Sequence, residues 1–215
     1  MNFSDTIVAL ATPAGVGAIG VIRLSGDRAI DIVNEVFQPK DLSIQTSHTL
    51  HYGRIESAGR VYDEVVVSLY IAPKSYTKEH VVEISCHGSP FIQESLIRLF
   101  TEKGARFARP GEFTQRAFLN GKLDLAQAEA VADLIAAQSE TAARAARRSL
   151  DGMFSQRCHA VAEQLVHARV YVEAALDFPD EEIDFLAAPE ICNLLERCKT
   201  DLAQLRAEAE QGKRL

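Results

Sequence analysis

Glu83 stands out in this sequence. It interrupts the apolar run Val81, Val82, Ile84, where a sheet ordinarily places a hydrophobe, and a carboxylate there can accept two N–H donors side by side. Strand alternation offers a plainer alternative, with Glu83 on a solvent face. Arg23 ends the run Val21-Ile22 with a planar fork suited to a carboxylate or carbonyl oxygen, though a surface ion pair is the ordinary fate of such an arginine. Lys122 sits near a helix entrance, where a cation opposes the helix dipole. It is therefore either turned to solvent or held for an anionic or electron-rich partner.

Other constellations carry less. Gly15, Gly17 and Gly20 satisfy GxGxxG, but the dinucleotide motif needs a helix to open at the glycines, and here they feed the β-branched run at Val21. A turn between two strands, with the backbone free to approach a ligand or second chain closely, is the better reading. Cys86 and His87 are adjacent and so face opposite sides of a strand, which argues against a nucleophilic pair; a histidine bonded to a carbonyl is expected. Asp177, Asp180, Glu181, Glu182 and Asp184 could gather around Mg²⁺ or form a solvated, proline-broken turn, and the turn is favoured. Arg144, Arg147 and Arg148 make a basic helical stripe, read as a charged outer face before an RNA contact.

These residues are carried on 215 positions that are 47% hydrophobic, with 12 glycines and 7 prolines, enough to bury one or two cores and too ordered in composition for a disordered chain. No apolar run approaches the ~20 residues of a membrane span. The start MNFSDTIVAL lacks the features of a signal peptide, so a cytoplasmic location and no membrane partner are expected. The four cysteines form no CxxC pair and predict neither zinc nor disulfides. A net charge of −7 makes this stretch a poor RNA binder by itself.

The elements that must position the site fall into an α+β order. Strands are expected at Ile7–Leu10 and Val21–Leu24, a helix at Asp27–Phe37, and a hairpin from Thr49–Ile55 and Asp63–Ile71 around Gly59. A strand at Val81–Cys86, a helix at Pro90–Phe100 stopped by Gly104 and a strand at Ala105–Ala108 follow. This predicts a mixed sheet with helices on one face. The organisation turns at Arg109–Ala130, and an all-α segment follows, giving domains at 1–120 and 121–215. Phe154, Cys158, Val161, Leu165, Ala168, Val172 and Ala175 form one heptad-like seam, and Ile191, Leu195, Cys198, Leu202 and Leu205 another. Leu165, Val172, Leu195 and Leu202 are expected to stay exposed for want of further helices.

The stretch RPGEFTQRAFLNGKLDLAQAEAVADLIAAQSE resembles the segment joining the N-terminal and helical domains in the MnmE (TrmE) family of tRNA-modification GTPases. DTIVALATPAGVGAIGVIR, VVEISCHG and YVEAALDFPDEEIDF resemble the same family in the same order. The resemblance implies an N-terminal domain similar to the folate-binding domains of glycine-cleavage T-proteins. It also implies binding of 5-formyltetrahydrofolate, with Arg23 in GVIR, Glu83 in VVEIS and Lys122 in NGKLDL at the positions of the family's binding motif. Glu83 would accept from the amino-pyrimidine edge of the pterin; Arg23 or Lys122 would meet the glutamate tail or formyl oxygen.

The family further implies a homodimer through the N-terminal domain and a flavin-dependent partner of the GidA (MnmG) type. With that partner it makes a carboxymethylaminomethyl-class modification at C5 of the tRNA wobble uridine. GTP hydrolysis with Mg²⁺ and K⁺ would belong to a following domain, because the 215 residues hold no GxxxxGK[ST]; no catalytic residue and no metal ligand is expected here. A free-standing folate-dependent aminomethyltransferase and a ligand-free dimerisation scaffold remain the alternatives. One departure stands out: where the family usually has Gly-Glu-Asp, this chain has Lys78-Glu79-His80. A left-handed backbone at 78 would cost a lysine ~1–2 kcal/mol and bear on loop geometry and affinity.

Overall fold

The computed structural model describes residues 5–177 and 189–212, which divide into two compact units, Met1–Leu123 and Asp124–Leu215. The first is a seven-stranded mixed sheet. Its strands are β1 (Ile7–Leu10), β2 (Ile19–Ser25), β3 (Phe37–Gln38), β4 (Thr49–Ser57), β5 (Arg60–Tyr70), β6 (Val81–His87) and β7 (Arg106–Phe107), in the order β3-β4-β5-β6-β2-β1-β7. Only β1 and β7 pair parallel; the other neighbours are antiparallel.

Alternation sorts the two faces. Ile22 and Leu24 on β2, Val65, Val67 and Leu69 on β5, and Val82, Ile84 and Cys86 on β6 point into one core. There they meet Ala29, Ile32 and Val33 of α1 (Ala29–Asn34) and Leu96, Leu99 and Phe100 of α2 (Pro90–Glu102). The intervening residues, Arg23, Ser68, Glu83 and Ser85 among them, fall on the opposite face, and the register sets Arg23 beside Glu83 and Glu83 beside Ser68.

The helix expected to run to Phe37 ends at Asn34 instead. Val36 and Phe37 are buried as expected, but Phe37 achieves this from β3, paired with Ile55, with its ring against Gly53. An apolar pair after a helix has the same spacing whether it closes the helix or opens a strand, and here the free edge of β4 takes it. A helix not anticipated as a separate element, α3 (Glu112–Leu119), closes the first unit.

The second unit holds α4 (Leu125–Ala136), α5 (Glu140–Leu150), α6 (Met153–Asp177) and α7 (Pro189–Gly212). Asp124 opens α4 through a capping box with Gln127, and Ser139 caps α5 through the Ala142 amide. α6 packs on α7, and Val161 and Ala168 of one seam and Ile191, Cys198 and Leu205 of the other are buried, whereas Phe154 at the start of the first is exposed. Leu165, Val172, Leu195 and Leu202 are exposed, as the sequence led us to expect. Among the described residues no helix is long and apolar enough to cross a membrane.

Candidate functional site

Arg23 and Glu83 meet across β2 and β6 on the face away from the core. Nε and Nη2 of Arg23 lie 2.8 and 2.7 Å from the same oxygen, Oε1 of Glu83, which leaves Oε2 for another donor. Both side chains remain about one quarter exposed, at 25% and 23%. The guanidinium lies 5.2 Å from the Tyr76 ring centroid and 5.5 Å from that of Phe113. Tyr76 is held in turn by a 2.8 Å hydrogen bond between its hydroxyl and Thr114 Oγ1. A paired acid and base therefore sit on an open sheet face beside two aromatic rings.

Lys122 lies near a helix entrance as expected, two residues before the Asp124 cap of α4, but it also follows the end of α3: Gly121 takes φ 66°, its amide donates to Phe118, and the Lys122 amide donates to Ala117. This pattern closes a helix C-terminus, where a cation is favourable. The Lys122 side chain lines an open cleft of about 500 Å³ together with His48, Tyr70, Lys74, Ser75 and Tyr76. Arg23 and Glu83 thus form one contact, Lys122 lies on the cleft, and Tyr76 belongs to both settings.

Beneath the loop that carries Tyr76 lies a charge network. Arg116 is 1% exposed and reaches carboxylates from three separate segments: Asp5, Glu79 at 3.2 Å and Glu112 at 3.3 Å, besides the Asp5 carbonyl at 2.8 Å. Arg106 bridges Asp5 and Glu112 from outside. Glu79 also accepts from Ser25 at 2.7 Å, and Ser25 shares a 2.6 Å bond with Thr77. The Arg106 hydrogen bond, with the Arg109 amide and Arg116, holds the Glu112 carboxyl down to about 2 against the opposing effect of burial. Burial alone would raise Asp5, but Arg106 and Arg116 outweigh it and keep it low. Sequence inspection missed this network. Each member reads as an ordinary surface charge, and Asp5 and Arg116 are 111 residues apart.

Lys78 does adopt the left-handed backbone, at φ 61°, and its Nζ donates to the Gly121 carbonyl at 2.8 Å while Asn120 donates to the Thr77 carbonyl. His80 Nδ1 accepts from the Ala72 amide at 3.2 Å. The altered triplet is thus accommodated by bonds at both ends of the loop. Cys86 points into the core, and burial, reinforced by Asp63, pushes its thiol up to about 11. His87 points out to the Asp63 carboxylate at 2.7 Å, not to a carbonyl, so the two side chains do not cooperate. Asp63 wins because its second oxygen also takes the His87 amide.

The glycine-rich turn approaches its own chain. Gly17 donates to Gly88 O, Gly88 donates to Ala18 O, and a Cβ on Gly88 would stand 2.3 Å from Gly17 O. Those amides are spent inside the fold. Arg144 and Arg147 pair with Glu140 and Asp151 one turn away on the exposed face of α5. Of the acidic turn only Asp177 falls among the described residues; Asp180, Glu181, Glu182 and Asp184 lie outside them. All four cysteines are free thiols, with Cys86 and Cys198 buried and Cys158 and Cys192 exposed.

The chain is thus an α+β unit, with a paired Arg–Glu on one sheet face, followed by a helical unit. The family model described as GTP-binding protein TrmE N-terminus matches residues 6–122, and that described as MnmE helical domain matches 125–215. The chain belongs to the MnmE (TrmE) family. It is 52% identical over 95% of its length to a tRNA modification GTPase MnmE of Cytophaga hutchinsonii, and 50% identical over 97% to that of Pseudomonas aeruginosa PAO1. Against that of Xanthomonas campestris pv. campestris it is 50% identical over 100%. The chain spans 44, 45 and 48% of these relatives' lengths, so it carries the family's N-terminal and helical domains.

Proposed function

We propose that this chain is the reduced-folate-binding, dimerising and helical part of a GTPase that modifies tRNA. The observation that carries the reading is the Arg23–Glu83 pair, solvent-accessible, flanked by Tyr76 and Phe113, with Glu83 Oε2 left for a donor. A pterin needs a carboxylate for its adjacent N–H groups and an aromatic surface for its ring, and these side chains supply both. Glu83 accepts the amino-pyrimidine edge, Arg23 orients that carboxylate, and Lys122 offers a cation to the folate's carboxylates from the cleft. The bound folate, 5-formyltetrahydrofolate, would supply the one-carbon unit.

The whole protein would work on the wobble uridine with a GidA (MnmG)-type flavoprotein in the cytoplasm. It would bind GTP, Mg²⁺ and K⁺ through sequence other than these 215 residues, which contain no phosphate-loop motif. Homodimerisation through the first unit is supported by Ile19, Leu50 and Tyr52, large side chains at least 66% exposed.

The test is a calorimetric titration with 5-formyltetrahydrofolate, with sedimentation run on the same sample. Binding that weakens about 30- to 150-fold in Glu83→Ala, the loss of roughly 2–3 kcal/mol of charge-assisted hydrogen bonding, is the expected result. A dimer that binds no folate would leave a scaffold and overturn the folate reading.

A further inference from the structure

The cleft beside Tyr76 has a charge character at odds with the protein around it. The chain carries a net charge of −7, yet the residues lining the cleft include two lysines, Lys74 and Lys122, and no carboxylate. Within 4.0 Å neither lysine has an acidic partner among the described residues. The other loop lysine, Lys78, is committed to Gly121, and Arg23 to Glu83. Two uncommitted cations from separate segments, the 71–80 loop and the end of α3, therefore converge on one concave surface of about 500 Å³. Its apolar walls are the rings of His48 and Tyr70, which meet edge to face at 5.4 Å, and the ring of Tyr76.

Tyr76 joins this cleft to the Arg23–Glu83 pair: its ring stands 5.2 Å from the guanidinium, and the same residue lines the cleft. A ligand whose flat head is held at Glu83 would pass Tyr76 before its other end reached the lysines. A second anchor of this kind adds affinity in proportion to the negative charge delivered to it. We infer that the cleft is a tail subsite for poly-γ-glutamate, with Lys74 its specificity-determining residue, so that reduced folates bearing several glutamates are preferred to the monoglutamate. This rests on the proposed folate reading. Lys122 contributes charge there too, but it already serves the proposed folate contact, whereas Lys74 lies outside that contact and is exposed, so replacing it removes a charge with little effect on packing.

The experiment is a calorimetric comparison of 5-formyltetrahydrofolate monoglutamate with its triglutamate, on the whole chain and on Lys74→Gln and Lys74→Glu. At a salt concentration of about 0.01 M the triglutamate should bind about tenfold tighter, and the ratio should fall towards one at about 1 M salt as exposed charges are screened. The ratio should also fall towards one in Lys74→Gln and below one in Lys74→Glu. Equal affinities for the two folates in the unsubstituted chain would overturn the inference while leaving the folate reading intact. A preference that survives in both variants would likewise overturn it. Failure of both folates to bind would overturn the folate reading and this inference with it.

Discussion

Arg116→Met is the most informative single change in the first unit, because methionine fills much of the arginine stem while deleting only its charged head. In the native chain Arg116 is 1% exposed and contacts Asp5, Glu79 and Glu112. Without it Arg106 still serves Asp5 and Glu112, but Glu79, 13% exposed, retains only its Ser25 contact against a buried carboxylate's desolvation. Breaking a buried ion pair on one side costs about 3–5 kcal/mol, which for a unit of this size lowers its thermal midpoint by roughly 10–20 °C.

The pH dependence gives the mechanism a second handle. Glu112 is near 2 in the folded chain against an ordinary 4.5, so its contribution is fully present above about pH 5 and is lost as pH falls towards 2. The native protein therefore loses stability on acidification. Arg116 is one of the donors that hold Glu112 low, so in Arg116→Met part of that acid-sensitive stabilisation is already gone, and the gap between the two proteins narrows as pH falls from about 5 towards 2. Urea denaturation followed by circular dichroism at a series of pH values measures both quantities. A difference below about 1 kcal/mol at pH 7, or one that stays constant with pH, would refute the assignment of the network as a mutually compensating set.

Three further substitutions probe the rest of the fold. Lys78→Gly should stabilise the chain by about 0.5–1 kcal/mol, since relief of the left-handed lysine at φ 61° exceeds the loss of one exposed hydrogen bond to Gly121; a lower denaturation midpoint would count against this. Gly53→Ala should cost about 2–3 kcal/mol, because its Cβ would stand 2.2 Å from Gln38 O and 2.6 Å from the Phe37 ring, forcing β3 off the sheet edge; unchanged stability would contradict it. In the helical unit Ile191→Ala should cost about 2–4 kcal/mol and Leu195→Ala less than about 1, following their exposures of 4% and 47%, and equal losses in thermal melts would show that the seam is covered on both sides.

The sheet was legible because period-two alternation is a local signal. Val82, Ile84 and Cys86 against Glu83 and Ser85 already divide β6 into a core face and an open face. The pairing of Arg23 with Glu83 was not legible, since strand order is a tertiary choice and the two residues lie 60 positions apart. The same limit hid Arg116, whose partners sit in three segments. Lys122 was legible as lying near the entrance of α4 but not as closing α3: Asn120-Gly121 ends one helix just before Asp124 caps the next, and a cation between two such signals fits either terminus until the amides are assigned. Of the glycine-rich turn, the rejection of a nucleotide loop followed from sequence, but its actual contact, Gly88, came only from the fold.

The joining of Asp5 to Arg116 also sets a schedule for synthesis. The first unit cannot lay β7 beside β1 until Phe107 of its 123 residues has been made, or complete its charge network until Arg116 has been. At translation rates of about 5–20 residues per second, β1 and β2 wait roughly 5–20 s with Val8, Ile22 and Leu24 lacking their final cover. The helical unit, built from neighbours in sequence, has no such delay. During manufacture the chain is thus most vulnerable in its oldest segment, and a ribosome-associated chaperone would find its target at the N-terminal strands rather than at the helices that follow.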